Sequence, residues 1–341
     1  MHLNRFFRSA FVAGFAAMAS LSAAAQDITG AGATFPFPIY AKWADAYKKE
    51  TGIGLNYQSI GSGAGVKQIL ARTVVFGATD APLQAEQLAK EGLVQWPQVM
   101  GALVAIVNID GIKQGEMTFD GQTLADIYLG KIKTWNDPAI VKLNPNLKLP
   151  AAPIAVVRRS DGSGTTFVWT NYLSEVSEEW KSKVGSGTAV EWPVGVGARG
   201  NEGVAGNVAQ TRNSIGYVEF AYAKQSNLTY TLLKNRAGQV LRPNRETFQA
   251  AAANAEWDKA PGYRLILTNQ AGEKSWPITA ATFILMHKKP QDPVAARRAL
   301  DFFAWAFEKG DAMADELDFV PMPDNVVKLI KQTWANEIQV K

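Results

Sequence analysis

No cysteine occurs in the 341-residue chain, and histidine occurs only twice, as His2 and His287. The first absence excludes a disulfide framework, a thiol nucleophile, an iron–sulfur cluster and the commonest zinc sites. The second leaves almost nothing for imidazole chemistry, so neither a metal centre nor a serine–histidine pair is expected. Charge of one sign is scarce too: 35 Lys and Arg face 31 Asp and Glu. Basic residues fall in isolated pairs such as Lys48-Lys49, Lys288-Lys289 and Arg297-Arg298. Nucleic acid, held by clusters of such residues on its phosphates, is therefore not an expected partner. What is plentiful is apolar residue, 47% of a chain long enough for two domains with their own cores.

Residues 1–25 read as a secretory signal peptide. Arg5 and Arg8 form its basic start, Phe11, Val12, Phe15 and Met18 lie in an alanine-rich run, and Ala23-Ala24-Ala25 has the small-x-small pattern of a cleavage site. The run of about 17 residues is short and weakly apolar against the roughly 20 that span a bilayer. Cleavage after Ala25 exposes no cysteine for lipid attachment, so the expected product is soluble, exported and not a lipoprotein. Without Arg5 and Arg8 its excess of base over acid falls to two.

From there on, short apolar runs alternate with helical periodicities, the pattern of an α/β protein. Tyr40, Trp43 and Tyr47 share one helical face, and Thr51-Gly52 ends that helix. Strands are predicted over 55–60, 74–76, 102–107, 154–157, 215–218 and 282–286. A helix is predicted over 293–309, with Phe302, Phe303 and Phe307 on one face and Gly310 closing it. Thr79-Asp80-Ala81-Pro82 reads as a helix start, and 135–153 as a surface loop.

One feature recurs. Three times a glycine-rich turn bearing a hydroxyl stands before a helical pattern: Gly30-Ala31-Gly32-Ala33-Thr34-Phe35, Gly61-Ser62-Gly63-Ala64-Gly65 and Asp161-Gly162-Ser163-Gly164-Thr165-Thr166. Glycine lets backbone approach a ligand closely, and a helix N-terminus offers unpaired N–H groups and partial positive charge. Any one such turn is adequately explained as a helix cap. Three with the same chemistry point to an anion held between two domains. Arg159 fits that picture beside Asp161. Asp80 beside an anion makes sense only where the anion carries a proton to donate, so it favours phosphate and disfavours sulfate.

Other matches are weaker. Gly195-Val196-Gly197-Ala198-Arg199-Gly200 satisfies G-x-G-x-x-G, with Glu219 near the spacing of a ribose carboxylate, but Trp192-Pro193 stands where that motif needs a strand. Gly61 to Lys67 misses the P-loop spacing, because Val66 occupies its second glycine position. Asp161-Gly162-Ser163-Gly164 hints at a hydrolase acting on phosphate esters through Ser163. However, His287 lies in an apolar strand pattern and reads as structural.

The motifs Thr29–Pro36, Gly61–Gly65, Phe76–Pro82 and Arg158–Thr165, with Ile127–Trp135 and Ile215–Glu219, together resemble the periplasmic phosphate-binding proteins of bacterial phosphate ABC transporters. The resemblance covers essentially the whole chain after residue 25. It implies a two-domain periplasmic-binding-protein fold of type II, with two crossing strands as the hinge. Residues 26–107 and 280–341 would form domain I, and 108–279 domain II. It also implies no enzymatic activity, no cofactor and no metal; the partners are inorganic phosphate and the transmembrane permease subunits, and the protein is a periplasmic monomer.

Carried over residue by residue, the implied phosphate ligands are Thr34, Phe35, Ser62, Asp80, Arg159, Ser163, Gly164 and Thr165, with Asp161 holding Arg159. Relatives with Ser-Ser-Gly-Gly where this chain has Ser62-Gly63-Ala64-Gly65 could contribute a second serine that is missing here. Arsenate, which also carries a proton, is not distinguished by Asp80. The energetic scale is consistent. Micromolar affinity is about −8 kcal/mol. About ten charge-assisted hydrogen bonds at roughly 1.5–3 kcal/mol each exceed that, before an association cost of about 4–15 kcal/mol.

Overall fold

The alternation of apolar runs and amphipathic segments folds into strands joined largely by helices. The computed structural model describes residues 27–340, so the signal peptide expected at 1–25 lies outside the described residues. The strands are β1 (Ile28–Gly32), β2 (Leu55–Ser59), β3 (Phe76–Thr79), β4 (Leu93–Asn108), β5 (Thr118–Phe119), β6 (Ala155–Arg159), β7 (Val196–Ala198), β8 (Ser214–Glu219), β9 (Thr229–Tyr230), β10 (Leu232–Lys234), β11 (Val240–Leu241) and β12 (Thr279–His287). One continuous path runs β2-β1-β3-β12-β4-β8-β6-β7, with β9 joined to β4, while β11-β10-β5 form a small separate sheet.

β4 makes that path continuous. Leu93–Ala102 pair antiparallel with β12, and Leu103–Asn108 pair antiparallel with β8. The strand therefore leaves a first lobe, built on β1, β2, β3 and β12, and enters a second, built on β6, β7 and β8, without a break. The chain returns beside it: Leu103 N–H donates to the Ile278 carbonyl at 2.8 Å, just before β12 begins. This is the mixed α/β, two-lobed architecture with two crossing segments that the sequence predicted. β4 starts at Leu93, not at the predicted Ala102; Gln95, Pro97 and Gln98 break the apolar run of its upstream half and hid it from the periodicity. A bulge absorbs the proline, which has no N–H to give the ladder: Thr282 faces Val99 and Phe283 faces Pro97, so Gln98 is left over.

The first lobe's core is aromatic. The helix Phe37–Thr51 buries Tyr40, Trp43 and Tyr47 and stops at Gly52, whose φ is +77°. The helix Pro293–Lys309, capped by Asp292 onto the Val294 and Ala295 N–H groups, buries Phe302 and Phe303 against it. Both helices end where predicted. The loop expected over 135–153 is only partly a surface loop. Trp135 is fully buried, donating from Nε1 to the Asn213 carbonyl, and Asp137 caps a short helix, Pro138–Leu143. Among the described residues no helix is long and apolar enough to cross a membrane.

Candidate functional site

Parallel strands bring the chemistry together. β1, β2 and β3 run parallel in the first lobe, and β6, β7 and β8 run parallel in the second. At or just beyond their C-terminal ends stand Thr34, Ser62, Asp80, Arg159, Asn201 and Glu219. The crevice at strand carboxyl ends is where open α/β sheets hold ligands.

The lobes meet through backbone. Gly63 N–H donates to the Gly162 carbonyl at 2.8 Å. Gly164 comes so close to the opposite lobe that a Cβ there would lie 2.4 Å from Ser62 Oγ and 2.6 Å from Asp80 Oδ2. Gly61, at φ +93°, turns the chain into the helix Ser62–Leu70 beside Asp161. The Gly61–Gly65 stretch is thus the start of that helix itself rather than a turn before it. Gly30–Phe35 precedes the helix Phe37–Thr51 as predicted, whereas Asp161–Thr166 runs into the helix Gly164–Val176, with Ser163 as its N-cap and Gly164 to Thr166 already in its first turn. The N–H groups of Gly164 and Thr165, in the first turn of that helix, lack intrahelical acceptors by geometry.

Asp80 corrects the sequence reading in one respect. It does not start a helix; it follows β3, and the next helix begins at Ala85 after Gln84. It is 2% exposed, and neither carboxylate oxygen has a hydrogen-bond partner among the described residues. Burial pushes its carboxyl up to about 7, against the opposing influence of the nearby Thr282 hydroxyl and the Arg159 guanidinium. Thr282 Oγ1 stands close but makes no hydrogen bond of good geometry.

Arg159 is buried and gripped by Asp161 through two bonds, Nε to Oδ1 at 2.8 Å and Nη2 to Oδ2 at 2.6 Å. Its Nη1 is left without a partner. Burial raises the Asp161 carboxyl, but the Arg159 guanidinium and the Gly200 N–H outweigh it and hold it below the ordinary range. The fork is thereby neutralised on one side and keeps one free nitrogen, with two N–H groups, on the other.

Ser163 Oγ accepts from Thr166 N–H at 2.9 Å, an N-cap rather than a nucleophile. His287 pairs instead through Nε2 with the Ile69 carbonyl at 2.7 Å, and burial lowers its pKa. Phe35 is fully buried and packs its ring on Phe319, so only its backbone is available to a ligand. Among the described residues no cluster of His, Asp and Glu is placed to hold a metal ion.

Three participants were not foreseen. Tyr222 donates its hydroxyl to the Thr34 carbonyl across the lobes at 2.6 Å. Glu219, fully buried, accepts from Ala221 N–H, and burial keeps its carboxyl well above the usual range. Asn201, fully buried, bonds Thr34, Thr165 and the Glu219 backbone. The signal for Asn201 was the 195–200 glycine motif. Its strand is β7, inside the motif rather than before it, and it leads into the helix Gly200–Gln210. Read as a further glycine turn before a helix, it would have pointed to Asn201.

Comparisons with known proteins bear on the family and the fold. A family model described as a PBP superfamily domain matches residues 18–309. Phosphate-binding protein PstS of Pasteurella multocida is 55% identical over 320 residues, covering 94% of this chain and 93% of its own. The protein of the same name from Haemophilus influenzae is 55% identical over 317 residues, covering 93% and 95%. The X-ray structure of a human phosphate binding apolipoprotein matches at TM-score 0.74 and 18% identity, over 92% of this chain and 99% of that one, a likeness of fold. The chain belongs to the PBP superfamily and, within it, to the phosphate-binding proteins.

Proposed function

We propose that this protein captures inorganic phosphate between its two lobes and delivers it to the permease subunits of an ABC transporter, making and breaking no covalent bond. One observation carries the reading: a buried carboxylate, Asp80, with both oxygens unpartnered, stands against Gly164 in the first turn of a helix from the opposite lobe. A carboxylate there repels every anion except one that brings its own proton. HPO₄²⁻ does so; sulfate does not.

In this reading Thr34 and Phe35 donate from backbone and Thr34 also from its hydroxyl. Ser62, Ser163, Gly164 and Thr165 supply further donors, Arg159 gives its free Nη1, and Asp161 fixes the guanidinium. The expected units, 26–107 with 280–341 and 108–279, close on each other, with the switch from one lobe to the other falling at Leu103 within β4. The exported monomer works in the periplasm, where the signal peptide directs it. A hydrolase reading has less support, because the Ser163 hydroxyl is engaged as a helix cap and His287 is bonded elsewhere.

Titration calorimetry at pH 8, where Asp80 is ionised, is the test. Phosphate is expected to bind at least about 100-fold more tightly than sulfate, the scale set by leaving a buried charge facing an unprotonated anion. Equal affinities would overturn the reading.

A further inference from the structure

Resting on the phosphate reading, we infer that Asn201 sets the polarity of the pocket: with its side-chain amide and backbone N–H it forces the Thr34 hydroxyl to act as a donor, and its amide biases the Thr165 hydroxyl the same way, one from each lobe. Three bonds make the case. Glu219 N–H donates to Asn201 Oδ1 at 2.9 Å, and because a backbone N–H can only donate, this fixes which end of the amide is oxygen. The other end, Nδ2, must then donate, and it does so twice, to Thr34 Oγ1 at 2.7 Å and Thr165 Oγ1 at 3.0 Å. The Asn201 backbone N–H donates to Thr34 Oγ1 as well, at 3.2 Å.

A hydroxyl has one hydrogen and two lone pairs. Thr34 Oγ1 receives two N–H bonds, so both lone pairs are engaged and its hydrogen must point elsewhere. Thr165 Oγ1 has one lone pair engaged by the same nitrogen. Neither hydroxyl donates to a protein acceptor in the hydrogen bonds described above, and both residues are 1% exposed. Each is left with a hydrogen to offer. A hydroxyl free to rotate could instead turn a lone pair toward an oxyanion and weaken it. Asn201 removes that option for Thr34 and narrows it for Thr165, which keeps one lone pair, acting on phosphate without touching it, as a positioning residue. Since Asn201 and Thr165 belong to the second lobe and Thr34 to the first, the polarised pair is complete only when the lobes are together.

The experiment is a mutant cycle read by phosphate titration, with wild type measured first. Failure of wild type to bind phosphate overturns the functional reading itself and is thereby distinguished from failure of this inference. Asn201→Leu keeps the side chain's shape and removes both donors. In the wild-type background it is expected to weaken phosphate by about 30-fold or more, the worth of two oriented hydrogen bonds to a charged ligand. In a Thr34→Val, Thr165→Val background, where there is no hydroxyl to orient, it is expected to cost less than about threefold. Equal losses in the two backgrounds, or no loss in the first, overturn the inference. If Asn201→Leu does not fold, Asn201→Ala is carried through the same cycle and judged by the same two outcomes.

Discussion

Asp80 concentrates the physics of selection in one side chain. Its carboxyl, ordinarily at 3.8, sits at about 7 because burial penalises the charged form more than Arg159 and Thr282 favour it. Two consequences follow from the sign of that shift. The folded protein holds the proton more tightly than the unfolded chain, so the group's contribution is favourable below about pH 4 and is lost as pH rises toward 7. Ligand-free Asp80→Asn is therefore expected to melt above wild type at pH 8, with the gap closing toward pH 4. Protonated Asp80 also becomes a donor, which an unprotonated anion can use. Competition titrations at pH 5 and pH 8 are expected to show sulfate gaining on phosphate by about tenfold or more at the lower pH. A ratio that does not move with pH contradicts the role given to this carboxylate.

At the scale of elements, selection depends on how closely one helix start approaches the opposite lobe. Gly164 has ordinary helical backbone freedom, so Gly164→Ala is expected to leave the ligand-free melting temperature within a few degrees while weakening phosphate about 10- to 100-fold. The reason is that its methyl carbon would stand 2.4 Å from Ser62 Oγ once the lobes meet. A variant that binds as wild type does would show that the lobes need not approach so far. The same scale explains what the sequence revealed. Helix ends at Gly52 and Gly310 were readable because periodicity and punctuation coincide there. The three glycine turns were readable as marking helix starts because that chemistry is local. The start of β4 was not, since Gln95, Pro97 and Gln98 resemble a loop until a bulge in the partner register accommodates them. Asp80-Ala81-Pro82 mimics a helix start, yet the helix waits until Ala85. Asn201 was missed for another reason: the 195–200 glycine motif marks its turn, but its partners Thr34 and Thr165 are remote in sequence, and only tertiary folding brings them within reach.

At the scale of the molecule, two lobes share β4 and the strand segment beside it, and every contact between Gly63 and Gly162 or Asn201 and Thr34 is a contact between those lobes. Amide hydrogen exchange is expected to report closure directly: phosphate slows exchange at Gly63 and Asn201, while Leu103, at the crossing point, is protected with or without ligand. Slowing spread evenly over the chain would instead indicate global stabilisation by mass action, without a hinge.

The pairing of Arg159 with Asp161 has a consequence for life in changing water. With Arg159 already balanced by Asp161, and Asp80 adding negative charge when ionised, the cleft exerts no long-range pull on a passing anion, and attraction begins only at contact, from dipoles aimed at it. Uptake then depends on collision and on the lobes shutting, and a bath of seawater strength has little to screen.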